Sequence, residues 1–253
     1  MPRFKVTACT AEHIGDRSEQ QDRVAIVTSP RHPHSLLAVV SDGMGGRTGG
    51  RMAADQVIAT VTHVFRDMGE DDAGSLQGLL KTMADEAHTV IRLSGLSSEK
   101  EPHATFVALI VRGDYAVWAH AGDSRLYHFR EGRVLHRTED QTYAWYLRAQ
   151  GRSQQAEEAD RKFKHMLVSS LGLSRPPQLA SDDTGDLQTG DAFLLCSDGL
   201  WAHFADAELG DTLSRSSPRE ASADLVRLAR ERARGAGDNV SLAIVKLEPP
   251  DER

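Results

Sequence analysis

Leu36-Leu37-Ala38-Val39-Val40-Ser41-Asp42-Gly43-Met44-Gly45-Gly46 decides how the rest of the chain is read. Its five apolar residues, two of them valines, have the character of a buried strand, and that strand delivers an aspartate onto a glycine-rich turn. The same construction returns at Phe193-Leu194-Leu195-Cys196-Ser197-Asp198-Gly199. A third acid precedes its strand, since Gly237-Asp238-Asn239 runs into Val240-Ser241-Leu242-Ala243-Ile244-Val245, and Asp22 stands likewise ahead of Val24-Ala25-Ile26-Val27. In an antiparallel sheet the start of one strand lies beside the end of its neighbour, so these acids are expected to share one rim. Clustered carboxylates repel unless cations sit among them, and all-oxygen ligation favours magnesium or manganese over zinc or copper. Taken singly, an Asp-Gly or Asp-Asn is an ordinary turn signal; the recurrence in matching strand contexts is what points to metal.

The 253 residues, 40% hydrophobic and 26% charged, suffice for one domain with a full core. A net charge of −7 argues against a general binder of nucleic acid or membrane surfaces. Cys9 and Cys196 form no Cys-x-x-Cys spacing and are expected as buried free thiols in a reducing compartment. Met1-Pro2-Arg3-Phe4-Lys5-Val6 lacks the apolar core of a signal peptide and no run approaches transmembrane length, so the expected location is cytoplasmic.

A first strand over residues 4–10 leads into a polar loop that puts Arg17 five residues before Asp22. Beside an acidic cluster an arginine is either a salt-bridge partner or a clamp for phosphate, and a metal centre tips the balance toward the clamp. His32 and His34 fall in a turn expected to be solvated, and receive no role. Residues 43–50 read as a loop. The sixth position of a Gly-x-Gly-x-x-Gly counted from Gly43 is Thr48, and no Gly-Lys-Ser/Thr follows, so a nucleotide site is not indicated. Glycines there let the backbone approach a metal, with the Gly43 carbonyl as a candidate ligand.

Amphipathic helices are expected over residues 51–68, 76–93 and 218–234, and an acidic turn without a role over 69–74. From Ala104 the period becomes that of strands, an antiparallel meander turning at residues 112–114, 122–124 and 130–132. Asp123 sits at one hairpin end, as a turn acid or a further metal ligand. Residues 142–164 read as a helical excursion that controls access to a site, and Leu200-Trp201 as the start of a short helix.

With these pieces in place, the chain resembles the metal-dependent serine/threonine protein phosphatases of the type 2C (PPM) family, in their bacterial single-domain form. The matching segments are Gly15-Asp16-Arg17-Ser18-Glu19-Gln20-Gln21-Asp22, Val40-Ser41-Asp42-Gly43-Met44-Gly45-Gly46, Ala121-Gly122-Asp123-Ser124-Arg125, Cys196-Ser197-Asp198-Gly199-Leu200-Trp201 and Gly237-Asp238-Asn239-Val240-Ser241, in the family's order and across almost the whole chain. The resemblance implies an α+β fold, a four-layer αββα sandwich of two central antiparallel β-sheets flanked by helices, formed by residues 1–253 as a single catalytic domain with a small helical flap at about 142–164. It implies that Asp42 bridges two tightly bound Mn²⁺ or Mg²⁺ ions, that Asp198 and Asp238 complete one and the Gly43 carbonyl serves the other, and that Asp22 holds metal-bound water. Arg17 would grip the phosphate and Asp123 would help bind a third, weaker cation. Three departures stand out. Gln20-Gln21-Asp22 stands where family members often carry Asn before a Gln-Asp or Glu-Asp pair, so that Gln21 cannot supply the charge of a glutamate, Met44 replaces the histidine proposed as general acid in eukaryotic members, and Gln141 replaces another family histidine.

The implied activity is hydrolysis of phosphoserine and phosphothreonine in proteins by water activated at the dinuclear centre, without a phosphoenzyme. No Cys-x5-Arg loop or Gly-x-Ser-x-Gly elbow competes with it. The expected partners are phosphorylated proteins and a cognate serine/threonine kinase, with no nucleic acid, no membrane and a monomeric chain. The alternative is a catalytically weak pseudophosphatase acting as a phosphoprotein-binding module. Its mark would be loss of an acid ligand, and Asp42, Asp198 and Asp238 are all present. An unrelated two-metal esterase or nuclease is disfavoured by the acidic balance.

Overall fold

The structure is a computed structural model that describes residues 4–29, 31–68, 75–95 and 101–250. The acidic turn expected at 69–74 lies outside them. Among the described residues the elements run β1 (Lys5–His13), β2 (Asp22–Ser29), β3 (His32–Met44), α1 (Gly46–Asp67), α2 (Leu76–Gly95), β4 (His103–Ala104), β5 (Phe106–Arg112), β6 (Tyr115–Ala121), β7 (Arg125–Arg130), β8 (Arg133–Arg137), α3 (Tyr143–Ala149), α4 (Ser153–Lys162), β9 (Ala180–Thr184), β10 (Asp191–Cys196), α5 (Asp198–Trp201), α6 (Asp206–Arg215), α7 (Pro218–Ala233) and β11 (Val240–Glu248). One sheet is ordered β1-β11-β10-β7-β8 and the other β2-β3-β5-β6-β9, with β4 added beside β3. Every pairing is antiparallel.

The central strands are apolar at consecutive positions because both of their faces are covered. In β3, Ala38 and Val40 point between the sheets while Leu37 and Val39 point toward α1 and α2; in β5, Val107, Leu109 and Val111 alternate in the same way with Phe106, Ala108 and Ile110. From the other sheet Phe193, Leu195, Ala243 and Val245 close the middle layer, and Leu194, Leu242 and Ile244 pack outward against Leu209, Leu213, Leu225 and Ala229 of α6 and α7. The result is four layers, helices outside and sheets inside, as the resemblance implied. Ser217 and Glu220 form a capping box around Pro218 at the start of α7, which fixes where that helix begins. The excursion forms α3 and α4, held by a small core of its own from Ala144, Leu147, Ala156 and Ala159. No described helix is long and apolar enough to cross a membrane.

Several expectations require correction. Residues 46–50 are not loop: α1 starts at Gly46, behind Gly45 at φ 118°. His32 is buried, with its Nε2 3.0 Å from the Met68 carbonyl oxygen, because β3 begins at that residue and pairs it with Ser29; His34 is exposed as expected. Cys196 is buried but Cys9 is only half-buried, since it lies on the edge strand β1, where its Sγ meets Ser222 Oγ of α7 at 3.5 Å. The helix α6 was not anticipated; its apolar signal among polar residues is little more than Leu209 and Leu213.

The glycines at the head of α1 follow from a close backbone crossing. A Cβ on Gly50 would stand 2.4 Å from the Gly43 carbonyl oxygen, and one on Gly43 would stand 2.0 Å from the Gly50 carbonyl oxygen. Gly50→Ala at an ordinary helical site would gain up to about 1 kcal/mol. Here it is expected to destabilise by about 1–3 kcal/mol, because backbone atoms must move apart. Thermal denaturation of the variant gives the sign directly.

Candidate functional site

All the acids singled out above lie at one end of the sandwich. Asp22 and Asp42 face each other in register across β2 and β3, in one sheet. Asp198 opens α5 just past the end of β10, and Asp238 precedes β11, the neighbour of β10 in the other sheet. Asp42 and Asp198 are therefore contributed by opposite sheets, at adjoining edges of one opening. Asp123 follows β6 at the Gly122 turn. A cavity of about 560 Å³ is lined by Arg17, Asp42, Gly43, Asp123, His165, Asp198 and Asp238, among others. Asp22 is not on its surface; it is 1% exposed, in the wall behind Asp42.

Each acid is held by neighbours that the fold dictates. The Asp42 backbone is clamped at both ends by Thr105, whose Oγ1 accepts from the Asp42 N–H at 2.8 Å and whose N–H donates to the Asp42 carbonyl at 2.8 Å. Ser197 Oγ donates to Asp22 Oδ2 at 2.6 Å and accepts from the Ser241 N–H at 3.0 Å, which ties the two sheets together beneath the cavity. A Cβ on Gly199 would strike the Asn239 carbonyl oxygen at 1.9 Å, so the α5 and β11 ends can meet only through glycine.

The Arg17 loop is bolted to the Asp238 loop. Asp16 N–H donates to the Gly237 carbonyl at 2.9 Å, Gly237 N–H returns a bond to Asp16 Oδ2 at 2.7 Å, and Asn239 Nδ2 donates to the carbonyls of Ile14 and Glu19. Gln21 gives its N–H to Asn239 Oδ1 and its Nε2 to the Gly46 carbonyl, so it braces the loop against α1 where a glutamate would carry charge. Gln141 is similarly committed, accepting from the Gly122 N–H and donating to the Gln178 carbonyl. Arg17 itself is 60% exposed and pairs with Asp238 Oδ2 at 2.6 Å.

The electrostatics of the rim are those of too many acids and too few cations. Burial, and then the charges of Asp22, Asp198, Asp123 and Asp238, hold the Asp42 carboxyl well above the usual range. Burial likewise raises Asp22, against the opposing hydrogen bond from Ser197. Asp123 is pushed up to about 7 by burial and by Asp198 and Asp140, with His165 acting the other way. A group of oxygen donors that resists ionisation for want of positive charge fits hard divalent cations of the magnesium or manganese type.

This has a measurable consequence. Between the ordinary Asp value of 3.8 and about 7 the folded metal-free protein holds protons that the unfolded chain has already lost, so these groups make stability fall as pH rises. His120 and His136, lowered chiefly by burial, push in the opposite direction near neutrality. The difference between manganese-saturated and metal-free protein cancels His120 and His136, and the stabilisation by manganese is expected to grow steadily from about pH 5.5 to about pH 7.5. Paired denaturant titrations across that range check it.

His165, absent from the sequence reading, is brought to the same rim. It follows α4 and places its Nδ1 3.3 Å from Asp198 Oδ2. Its flanking sequence, Lys164-His165-Met166, carries no motif that would have singled it out. Asn239 was visible as part of Gly237-Asp238-Asn239, yet its role as the fastener of the Arg17 loop depends on contacts more than 200 residues distant in sequence.

The sequence model of the protein phosphatase 2C family matches residues 9–232. The serine/threonine protein phosphatase PstP of Mycobacterium tuberculosis is 29% identical over 218 residues, or 83% of this chain and 40% of that protein, so the chain spans about two fifths of that relative's length. Among solved structures, the serine/threonine phosphatase of S. agalactiae superposes with a TM-score of 0.85 at 25% identity, covering 96% of this chain and 100% of that one. The catalytic domain of PstP in complex with two manganese ions superposes with a TM-score of 0.75 at 26% identity, covering 96% of this chain and 98% of that one.

Proposed function

The chain belongs to the protein phosphatase 2C family, and we propose that it hydrolyses phosphoserine and phosphothreonine monoesters in proteins, with divalent cations held on the acidic rim. The observation that carries this reading is the convergence of Asp42, Asp123, Asp198 and Asp238, with Asp22 behind them and Arg17 beside them, on one open cavity. In the proposed arrangement Asp42, Asp198, Asp238 and the Gly43 carbonyl hold two tightly bound Mn²⁺ or Mg²⁺ ions, Asp22 orients water in the wall, and Asp123 serves a weaker third site. Bound there, the cations supply an acidified water and neutralise charge on the phosphoryl oxygens.

The chain's own residues account for the rest. Arg17 offers a planar, exposed guanidinium to the outer phosphate oxygens, exchanging its bond with Asp238 for one to the substrate. Neither Cys196 nor Ser197 is suited to a covalent intermediate. Cys196 is fully buried and burial raises its thiol well above the usual range, while Ser197 Oγ is engaged between Asp22 and Ser241. Direct attack by water agrees with this, and the intact set of acids favours a working enzyme over a pseudophosphatase.

Arg17→Ala tests the phosphate role. A charge-assisted contact to phosphate contributes roughly 1.5–3 kcal/mol, so kcat/KM on a phosphopeptide should fall by about one to two decades while manganese affinity changes little. Steady-state kinetics paired with calorimetric titration separate the two. An unchanged kcat/KM would return Arg17 to a salt bridge with Asp238.

A further inference from the structure

Asp123, His165 and Asp198 each offer one ligand atom such that all three lie within 4.8 Å of one another. Donors bound about 2.2 Å from a common ion stand roughly 3–4.4 Å apart, so only a small contraction separates this arrangement from a coordination sphere. Asp123 is 6% exposed, its carboxylate lies among the acids of the rim, and no lysine or arginine of the described residues is bonded to it. His165 is 60% exposed, on a turn closed by the Met166 N–H to the Phe163 carbonyl, and it can supply the contraction.

The imidazole is also deliberately located. Directly after it, the Met166 carbonyl accepts from the Tyr143 N–H at 2.8 Å and the Val168 N–H donates to the Gln141 carbonyl at 2.9 Å. Gln141 in turn holds the Gly122 N–H through its side chain, one residue from Asp123. One short segment therefore positions both His165 and Asp123, although they are 42 residues apart in sequence.

We propose that His165 is a metal ligand, completing with Asp123 and Asp198 a mixed nitrogen–oxygen site that fastens the α3–α4 excursion to the sheet rim. The inference rests on the rim being the metal centre proposed above and goes beyond it in two respects. The weak site gains a nitrogen donor, which favours manganese, cobalt or zinc over magnesium. Its occupancy is coupled to the position of the excursion, since the ion would join a residue that follows α4 to two residues of the sheet ends.

Manganese alone is the probe, on the full chain. Every other proposed ligand is an oxygen, so imidazole nitrogen coupling to Mn²⁺ in pulsed electron paramagnetic resonance reports His165 specifically. At saturating Mn²⁺ the wild type is expected to show that ¹⁴N coupling on its weakest ion, and His165→Ala to lose it. In calorimetric titration the variant should keep the tight sites and bind the weak ion at least about tenfold less well. Magnesium should occupy the weak site equally in both proteins. Its exposure makes His165→Ala safe for the fold, which circular dichroism verifies. Tight manganese binding without any ¹⁴N coupling, or with an unaltered weak site in His165→Ala, would overturn this inference and leave the phosphatase reading standing. Failure of the wild type to bind manganese at all would overturn both.

Discussion

Asp42→Asn is expected to lower kcat/KM on a phosphoserine peptide by on the order of a thousandfold, and at the same time to make the metal-free protein more stable. The first effect follows from the position of Asp42 at the meeting of both sheets, opposite Asp22 and within the field of Asp123, Asp198 and Asp238. Removing its charge weakens the hold on both cations, and several kcal/mol of lost charge stabilisation correspond to about three decades. The second effect has the opposite sign because the same charge is a burden without metal: burial and four neighbouring acids all disfavour it. The amide keeps the shape, and both Thr105 hydrogen bonds run to the Asp42 backbone and survive the change. Thermal midpoints of the metal-free proteins should rank the variant above wild type, and added manganese should reverse the order. Parallel midpoints with and without metal, or unaltered kinetics, would mean that Asp42 is a turn acid and that the centre lies elsewhere.

What could be read from the sequence follows from the distance over which each signal acts. Runs such as Leu36–Val40 and Phe193–Cys196 identify buried strands locally, because a strand covered on both faces is apolar at every position. The acids at their ends were legible for the same reason. Which acids face each other was not, since the pairing of Asp22 with Asp42 is set by the register of β2 on β3. Gly46–Gly50 is helical yet has the composition of a loop, because Gly50 must lie against Gly43, a requirement for glycine that only the packed structure reveals. His165 escapes a sequence reading entirely, and Gln141 is visible there only as a departure from the family pattern, not as a brace for the Gly122 turn. Their places come from hydrogen bonds between the return of the excursion and the Gln141–Tyr143 segment, and nothing in the composition of 141–168 announces those bonds.

Removing divalent cations should abolish turnover completely and reversibly, because the proposed reaction takes both its activated water and its charge neutralisation from them. Cys196 is deeply buried and Ser197 is already engaged in two hydrogen bonds, so neither is a competent nucleophile at neutral pH. Metal loss should not unfold the protein, since the four layers are closed by apolar contacts away from the rim. The decisive measurement is phosphate release from a phosphoserine peptide by protein stripped with a chelator and verified metal-free by elemental analysis, followed by readdition of Mn²⁺ or Mg²⁺. Release that vanishes on stripping and returns with the cation is the expected result; undiminished release from verified metal-free protein would contradict it.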